Sequence, residues 1–355
     1  MRPFPGDSIR KEVLEIEAYG VEEPEGLIKL DANENPYALP RTLMEAAAER
    51  CRRLDLNRYP DPGAAELRRL LGERIGWDPA GLMLGNGSDE LVSILCTACG
   101  HAGARMQVPV PTFAMYRIIG SVSGWEVDEV PLDVDFELDG AAFRKKMREA
   151  LPRLVVIATP NNPTGNAFDA DVVRGIVEEA PGLVVIDEAY FDFCGKTFLP
   201  LLEKHRNLLI LRTLSKIGLA AIRLGILVGH PEVVREFNKV RLPYNISAFS
   251  QEVAAMVLED PSFLDEEIRT IVTERTLLME GMGRMEGIRT YRSDANFVLF
   301  KTKESSAGVF CKVREAGVLI RDLGRPGPLE NCLRVTVGKP EENRAFLDAL
   351  RSSLD

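Results

Sequence analysis

A chain of 355 residues is long enough for two units, each with a hydrophobic core of its own. Apolar residues make up 45% and charged residues 28%, a balance that excludes wholesale disorder. The formal net charge of -10 disfavours polyanionic partners such as nucleic acid or an acidic membrane surface, while leaving room for a local anion site.

The amino terminus, MRPFPGDSIRKEVLEIEAYG, carries charges and prolines where a secretory signal would have an unbroken apolar core, so a cytoplasmic location is expected. Residues 1–30 read as an arm packing with a smaller domain and lid: a short amphipathic segment around Ile9 to Ala18, then the broken acidic stretch VEEPEG. LDANENPYALP (Leu30 to Pro40) is irregular backbone before a helix from Arg41 to Leu54. The turn-rich Arg58-Tyr59-Pro60-Asp61-Pro62 precedes a second helix from Ala64 to Ile75. Cys96 and Cys99 form a C-x-x-C inside LVSILCTACG, where a spacing of three puts both thiols on one side of a helix and reads as core. With no second such pair and three isolated histidines, no metal site is expected.

From residue 82 short apolar runs recur at Leu82 to Leu84, Met106 to Val110, Trp125 to Val130, Leu154 to Ala158, Leu183 to Ile186, Leu208 to Leu211 and Ile226 to Val228. Helically spaced stretches, such as Asp89 to Ala98 and Ala170 to Glu179, lie between several of them. The alternation predicts an α/β fold with a mostly parallel seven-stranded sheet covered by helices. The stretch Leu208 to Gly229 contains Arg212, Lys216 and Arg223, too many cations for a membrane span.

In such sheets ligands collect at the carboxyl ends of strands. GNGSDE (Gly85 to Glu90) has two glycines for a tight turn and Ser88 as a cap, which would leave the first amides of a helix facing outward as a phosphate cradle. TPNNPTGN follows the fourth run and DEAYFDF the fifth; a carboxylate placed directly at a strand end, as Asp187 is, needs a cation to meet it. Beyond Arg241 the alternation stops. Helices near Ser250 to Leu258, Pro261 to Met285, Ser305 to Ala316 and Glu341 to Leu354 mix with strand-like Ala295 to Phe300, Val318 to Ile320 and Leu333 to Val337. A smaller α+β domain over 246–355 is expected beside a large one over 31–245. Arg321 and Arg334 fall at strand ends within it.

The Asn-Asn-Pro-Thr-Gly loop, the Asp187-x-x-Tyr190 pair, Ser215-Lys216 and the downstream Arg223 together resemble the fold-type I aminotransferases that use pyridoxal 5'-phosphate (PLP). The resemblance covers nearly the whole chain. It implies that Lys216 holds the cofactor aldehyde and later carries a proton. Asp187 would sit beside the pyridine nitrogen and favour its protonated form. Asn162 and Tyr190 would donate to the phenolic oxygen, and Phe113 would stack on the ring. The phosphate would be held by Gly87, Ser88, Asp89, Ser215 and Arg223. The seven-residue step from Lys216 to Arg223 is one shorter than in many relatives, which puts the loop conformation in question. Tyr59 resembles a tyrosine that reaches the neighbouring subunit's phosphate, which implies a homodimer with shared sites.

Within that superfamily DANENPY (Asp31 to Tyr37), RYPDP, GNGSDE and LRVTVG (Leu333 to Gly338) resemble the histidinol-phosphate aminotransferase family. The reaction implied is amino transfer between L-histidinol phosphate and 2-oxoglutarate. Arg334, with Arg321, would bind the substrate anions, and Tyr19 and Asn33 would belong to a lid. Three rivals share the cofactor set: a threonine-phosphate decarboxylase, an aromatic amino acid aminotransferase, and a PLP-fold regulator without turnover.

Overall fold

The computed structural model describes residues 8–16, 26–101 and 103–354. Its strands are β1 (Ile28–Lys29), β2 (Leu82–Asn86), β3 (Arg105–Val110), β4 (Glu126–Pro131), β5 (Leu154–Ala158), β6 (Leu183–Asp187), β7 (Leu208–Thr213), β8 (Leu224–Gly229), β9 (Ile288–Thr290), β10 (Phe297–Thr302), β11 (Val318–Leu319), β12 (Arg321–Asp322) and β13 (Cys332–Thr336).

Seven of these form one sheet in the order β2-β8-β7-β6-β5-β3-β4. The register is parallel from β7 through β6, β5 and β3 to β4, whereas β8 runs antiparallel to both β7 and β2. The sheet is mostly parallel, as its apolar runs predict, with one reversed strand. The reversal has a simple cause. The connection from β7 to β8 is a loop holding only the 3-10 turn Ala220–Ile222, without the crossover helix that a parallel return requires. Because β8 is reversed, its first residue lies at the sheet edge where β2, β5, β6 and β7 end. That geometry brings the residues on both sides of the 214–223 loop to one place.

The central strands β5, β6 and β7 are apolar on both faces over most of their length. Val155, Ile157, Val184, Ile186, Leu208 and Ile210 join one buried cluster, whereas Leu154, Val156, Val185, Leu209 and Leu211 join another on the opposite face. Each such side chain contributes about 1.5–3 kcal/mol when fully buried. Helices Ser88–Cys99 and Ala114–Val122 bury Leu91, Leu95, Cys96, Tyr116 and Ile119 in the second cluster; Phe143, Met147, Val173 and Ile176 belong to the first. Cys96 is a core thiol, pushed up to about 12 by burial.

A second sheet, order β12-β13-β10-β9, is antiparallel throughout, and β1 pairs in parallel with β11. Helices Ser262–Gly283, Ser306–Glu315 and Pro340–Leu354 pack around these strands. Leu30 threads between them: its amide donates to the Leu319 carbonyl at 2.8 Å, and its carbonyl accepts from the Thr336 amide at 2.8 Å. The short helix Lys11–Leu14 instead lies against helix Ala114–Val122 of the larger sheet. Helix Ala248–Glu259 packs on helices Arg41–Arg52 and Ala65–Ile75. Among the described residues no helix is long and apolar enough to cross a membrane, and no group of His, Cys, Asp and Glu side chains could hold a metal ion.

Candidate active site

Gly87 sets the entry to helix Ser88–Cys99. It sits at φ +85°, a conformation suited to glycine, and its amide donates to the Arg223 carbonyl at 2.9 Å. A Cβ added at Gly87 would lie 2.5 Å from Arg223 Nη2, so the guanidinium lies directly against the turn. A Cβ at Gly225 would meet the Ser88 amide nitrogen at 2.5 Å, so β8 also needs glycine to approach this backbone. Ser88 does not cap the helix, contrary to the expectation from sequence. Gly87 itself is the N-cap residue, and no side chain makes the capping bond, because the glycine turn carries the chain straight into the helix with Ser88 as its first residue. The Glu90 carboxylate turns back to accept from the Asn86 amide at 2.6 Å. The opening turn of this helix, without a side-chain cap and faced by an arginine fork, has the chemistry of a phosphate cradle.

Ser215 and Lys216 lie across this cradle on the loop after β7. The Thr213 hydroxyl accepts from the Ser215 amide at 3.1 Å and lies 3.0 Å from Ser215 Oγ, which fixes the loop start. Half-buried Lys216 places Nζ 5.9 Å from the centroid of the Tyr190 ring. The loop then turns through Gly218 at φ +116° and reaches Arg223 at φ +52°, so the shortened step still returns the arginine to Gly87. Half-buried Asp89 feels both cations: burial raises its carboxyl, while Arg223 and Lys216 pull it down.

Asp187 ends β6 with its side chain buried. Its Oδ2 accepts from the Tyr116 hydroxyl at 2.6 Å and its Oδ1 from the Ala189 amide at 2.9 Å. Burial outweighs both donors and pushes the carboxyl up to about 6, with Asp89 and Glu188 adding to the rise. A cation set against this carboxylate would relieve that cost. Tyr116 was not singled out from the sequence, where it reads as one more apolar-face residue of a helix. Its spacing of three from Phe113 was the available signal. The two rings pack edge to face, centroids 5.6 Å apart at 85°.

Tyr190 is buried, and its hydroxyl oxygen accepts from Asn33 Nδ2 at 2.9 Å, leaving its proton for another acceptor. Asn33, at φ +55°, ties several elements together: its amide donates to Thr336 Oγ1 at 2.9 Å and its carbonyl accepts from Asn296 Nδ2 at 3.1 Å. Asn162 Oδ1 accepts from Arg334 Nη1 at 2.6 Å, and Arg334 Nη2 donates to the Asp31 carbonyl at 2.7 Å. Arg321 stands directly opposite Arg334 in the β12–β13 pair, so the two side chains share one side of that sheet. Tyr59 lies apart from this group: it is 79% exposed and stacks on Tyr244, centroids 4.4 Å apart. Tyr19 falls outside the described residues.

Sequence reasoning also missed a buried ion pair beside the site. The Arg212 guanidinium donates to Glu188 Oε2 at 2.9 and 3.0 Å and to Thr197 Oγ1 at 2.9 Å, and lies 3.9 Å from the Phe191 ring centroid. It clamps the ends of β6 and β7 together. The arrangement offers an amine, a buried carboxyl 29 residues upstream of it and an anion cradle at one sheet edge, with Phe113 and Tyr190 supplying aromatic surface. Those residues fit PLP: the Gly87–Arg223 cradle suits the phosphate, and the desolvated Asp187 carboxylate suits a protonated ring nitrogen.

Comparison with known proteins gives a consistent answer. Residues 25–350 match the family model for aminotransferase class I and II. The chain is 47% identical over 347 residues to histidinol-phosphate aminotransferase 2 of Nitrosococcus oceani, covering 97% of this chain and 96% of the relative. It is 41% identical to the histidinol-phosphate aminotransferase of Aquifex aeolicus, covering 98% of each. Among solved structures, the histidinol-phosphate aminotransferase of Sinorhizobium meliloti in complex with pyridoxal-5'-phosphate superposes with a TM-score of 0.87 at 23% identity, over 98% of this chain and 97% of that one. The fold is that of the fold-type I PLP-dependent transferases. By sequence over nearly its whole length, the chain belongs to the class I and II aminotransferases and, within them, to the histidinol-phosphate aminotransferase family.

Proposed function

We propose that this chain transfers the amino group of L-histidinol phosphate to 2-oxoglutarate with PLP as cofactor, giving imidazole-acetol phosphate and L-glutamate. The observation that carries the reading is the meeting of Lys216, the buried Asp187 and the Gly87–Arg223 cradle at one edge of one sheet. Full-length likeness to histidinol-phosphate aminotransferases supports the choice of substrate.

When bound, the cofactor supplies an aldehyde for amine exchange and a ring that accepts electrons from the substrate α-carbon. Lys216 would hold that aldehyde through Nζ, and its freed amine would take up at Nζ the proton that the substrate α-carbon gives up. Asp187 keeps a proton on the ring nitrogen, and its fixed position means that no solvent has to reorganise as charge develops. Tyr190 and Asn162 donate toward the phenolic oxygen. The amides after Gly87, Ser215 and the Arg223 fork orient the phosphate, with Asp89 close to both cations. Phe113 covers the ring face. Arg334 and Arg321, opposite one another across two strands, form a doubly cationic position for the phosphate of one substrate and the carboxylates of the other. Asn33 is assigned to the substrate lid, as is Tyr19, which lies outside the described residues.

The active unit is a homodimer in this reading, with Tyr59 reaching the partner's phosphate cradle. Its 79% exposure, beside the exposed Tyr244 and Leu242, supports that role. The arm, large and small domains are assigned to 1–30, 31–245 and 246–355. All six cysteines are free thiols, which suits a cytoplasmic location.

Steady-state kinetics test the substrate. The kcat/KM for L-histidinol phosphate should exceed that for phenylalanine by about tenfold or more, because a site built for a phosphate leaves buried donors unmet by a substrate that lacks one. A preference for phenylalanine, or release of carbon dioxide from threonine phosphate, would overturn it.

A further inference from the structure

Tyr116 has no role among the residues expected to touch cofactor or substrate, yet it is 2% exposed and spends its one proton on the Asp187 carboxylate. The two oxygens of Asp187 each receive one donor, Tyr116 Oη at 2.6 Å and the Ala189 amide at 2.9 Å, which fixes the plane of the carboxylate. The Tyr116 ring also meets Phe113 edge to face, one helical turn away. A single side chain thus contacts both the carboxylate expected at the ring nitrogen and the aromatic expected on the ring face.

We propose that Tyr116 is a positioning residue for amino transfer, its hydroxyl holding Asp187 charged and oriented while its ring braces Phe113. The proposal rests on the PLP reading of the site. Among the described residues, the charged and titratable groups that act most strongly on Asp187 are Asp89 from the helix after Gly87, Glu188 from its own strand end, and Tyr116 itself; Tyr190 lies close to both members of the pair. The two neighbouring carboxylates oppose the charge on Asp187, while the Tyr116 and Ala189 donors favour it. Losing the hydroxyl removes one of the two such donors among the described residues.

Tyr116→Phe keeps the ring and removes the bond. In the full chain without cofactor, the carboxyl carbon of Asp187, followed by carbon-13 NMR, should titrate about one pH unit or more higher in the variant. In the wild-type chain the Tyr116 ring Cζ resonance should shift with the same midpoint as Asp187, a measurement that needs no variant. With PLP bound, kcat should fall roughly tenfold to a hundredfold while KM for the amino donor changes less than about threefold, and the acidic limb of the kcat profile should move to higher pH. Adding the substitution to Asp187→Asn should cost nothing further. An unchanged Asp187 midpoint, or a Tyr116 resonance indifferent to it, would overturn the proposal. If wild-type chain takes up no PLP, the cofactor reading falls and the purpose assigned to the contact falls with it. The carboxyl titration still reports whether the coupling exists.

Discussion

Asp187 sets a carboxylate in an apolar surrounding. A carboxylate at the end of an apolar strand is costly, and the structure puts that cost in its raised affinity for a proton, about 6 against an ordinary 3.8. Without cofactor, the folded state therefore binds this proton more tightly than the unfolded chain. Stability contributed by the group is present below pH 3.8 and is lost as pH rises through the window to 6. The penalty reaches roughly 3 kcal/mol at most above it. Asp187→Asn, whose Oδ1 can still accept from the Ala189 amide while its Nδ2 donates to the Tyr116 hydroxyl oxygen, should leave the cofactor-free protein no different near pH 4 and more stable by roughly 1–3 kcal/mol at pH 8 in urea unfolding. A variant less stable than wild type at pH 8 would contradict this. The same substitution should slow turnover strongly with cofactor bound. Asp187, Lys216 and Arg223 were legible in the sequence because each is a charge in an otherwise apolar setting. Tyr116 was not, since a tyrosine on the apolar stripe of a helix looks like any core residue until its hydroxyl has a partner.

At the scale of elements, the site is a set of strand ends held in register. Short apolar runs announced all seven strands of the large sheet, whereas the reversal of β8 was legible only in the loop before it, too short for the crossover helix of a parallel return. The two- and three-residue strands β1, β9 and β12 are too short to carry a period. The Glu188–Arg212 pair was hidden for a similar reason: an acid and a base 24 residues apart show no relation until β6 and β7 pair side by side. Glu188 is fully buried and Arg212 nearly so, and removing one partner strands the other charge. Glu188→Met or Arg212→Met should each cost about 3–5 kcal/mol, whereas the two changes made together should cost markedly less than the sum. Additive losses in denaturant unfolding would show that the pair is not a coupled clamp. At the cradle, Gly87→Ala would force a Cβ to 2.5 Å from Arg223 Nη2 and strain a φ of +85°. It should weaken PLP affinity while costing about 1–3 kcal/mol of stability. Undiminished PLP affinity in equilibrium titration would remove Gly87 from the cradle.

The whole molecule joins two sheets through the segment Leu30 to Asn33, which bonds to both the smaller sheet and Tyr190 of the larger one. The change from alternating elements to mixed ones after Arg241 foreshadowed a second sheet. The path of the segment before residue 34 between the sheets could not be anticipated, since DANEN reads only as turn-forming. Shared sites predict a further behaviour. If Tyr59 serves the partner's cradle, mixing inactive Tyr59→Ala and Lys216→Ala chains should form hybrid dimers with one intact site and restore up to about a quarter of wild-type activity. No recovery after subunit exchange would argue that each chain completes its own site. Amino transfer from histidinol phosphate through Lys216 can be followed in a single half-reaction. Purified protein loaded with PLP is mixed with L-histidinol phosphate in the absence of 2-oxoglutarate, and the cofactor absorbance is followed beside Lys216→Ala. The cofactor should convert stoichiometrically to its pyridoxamine form in the wild type and not at all in the variant. A wild-type spectrum unmoved by L-histidinol phosphate, or equal conversion by Lys216→Ala, would contradict it.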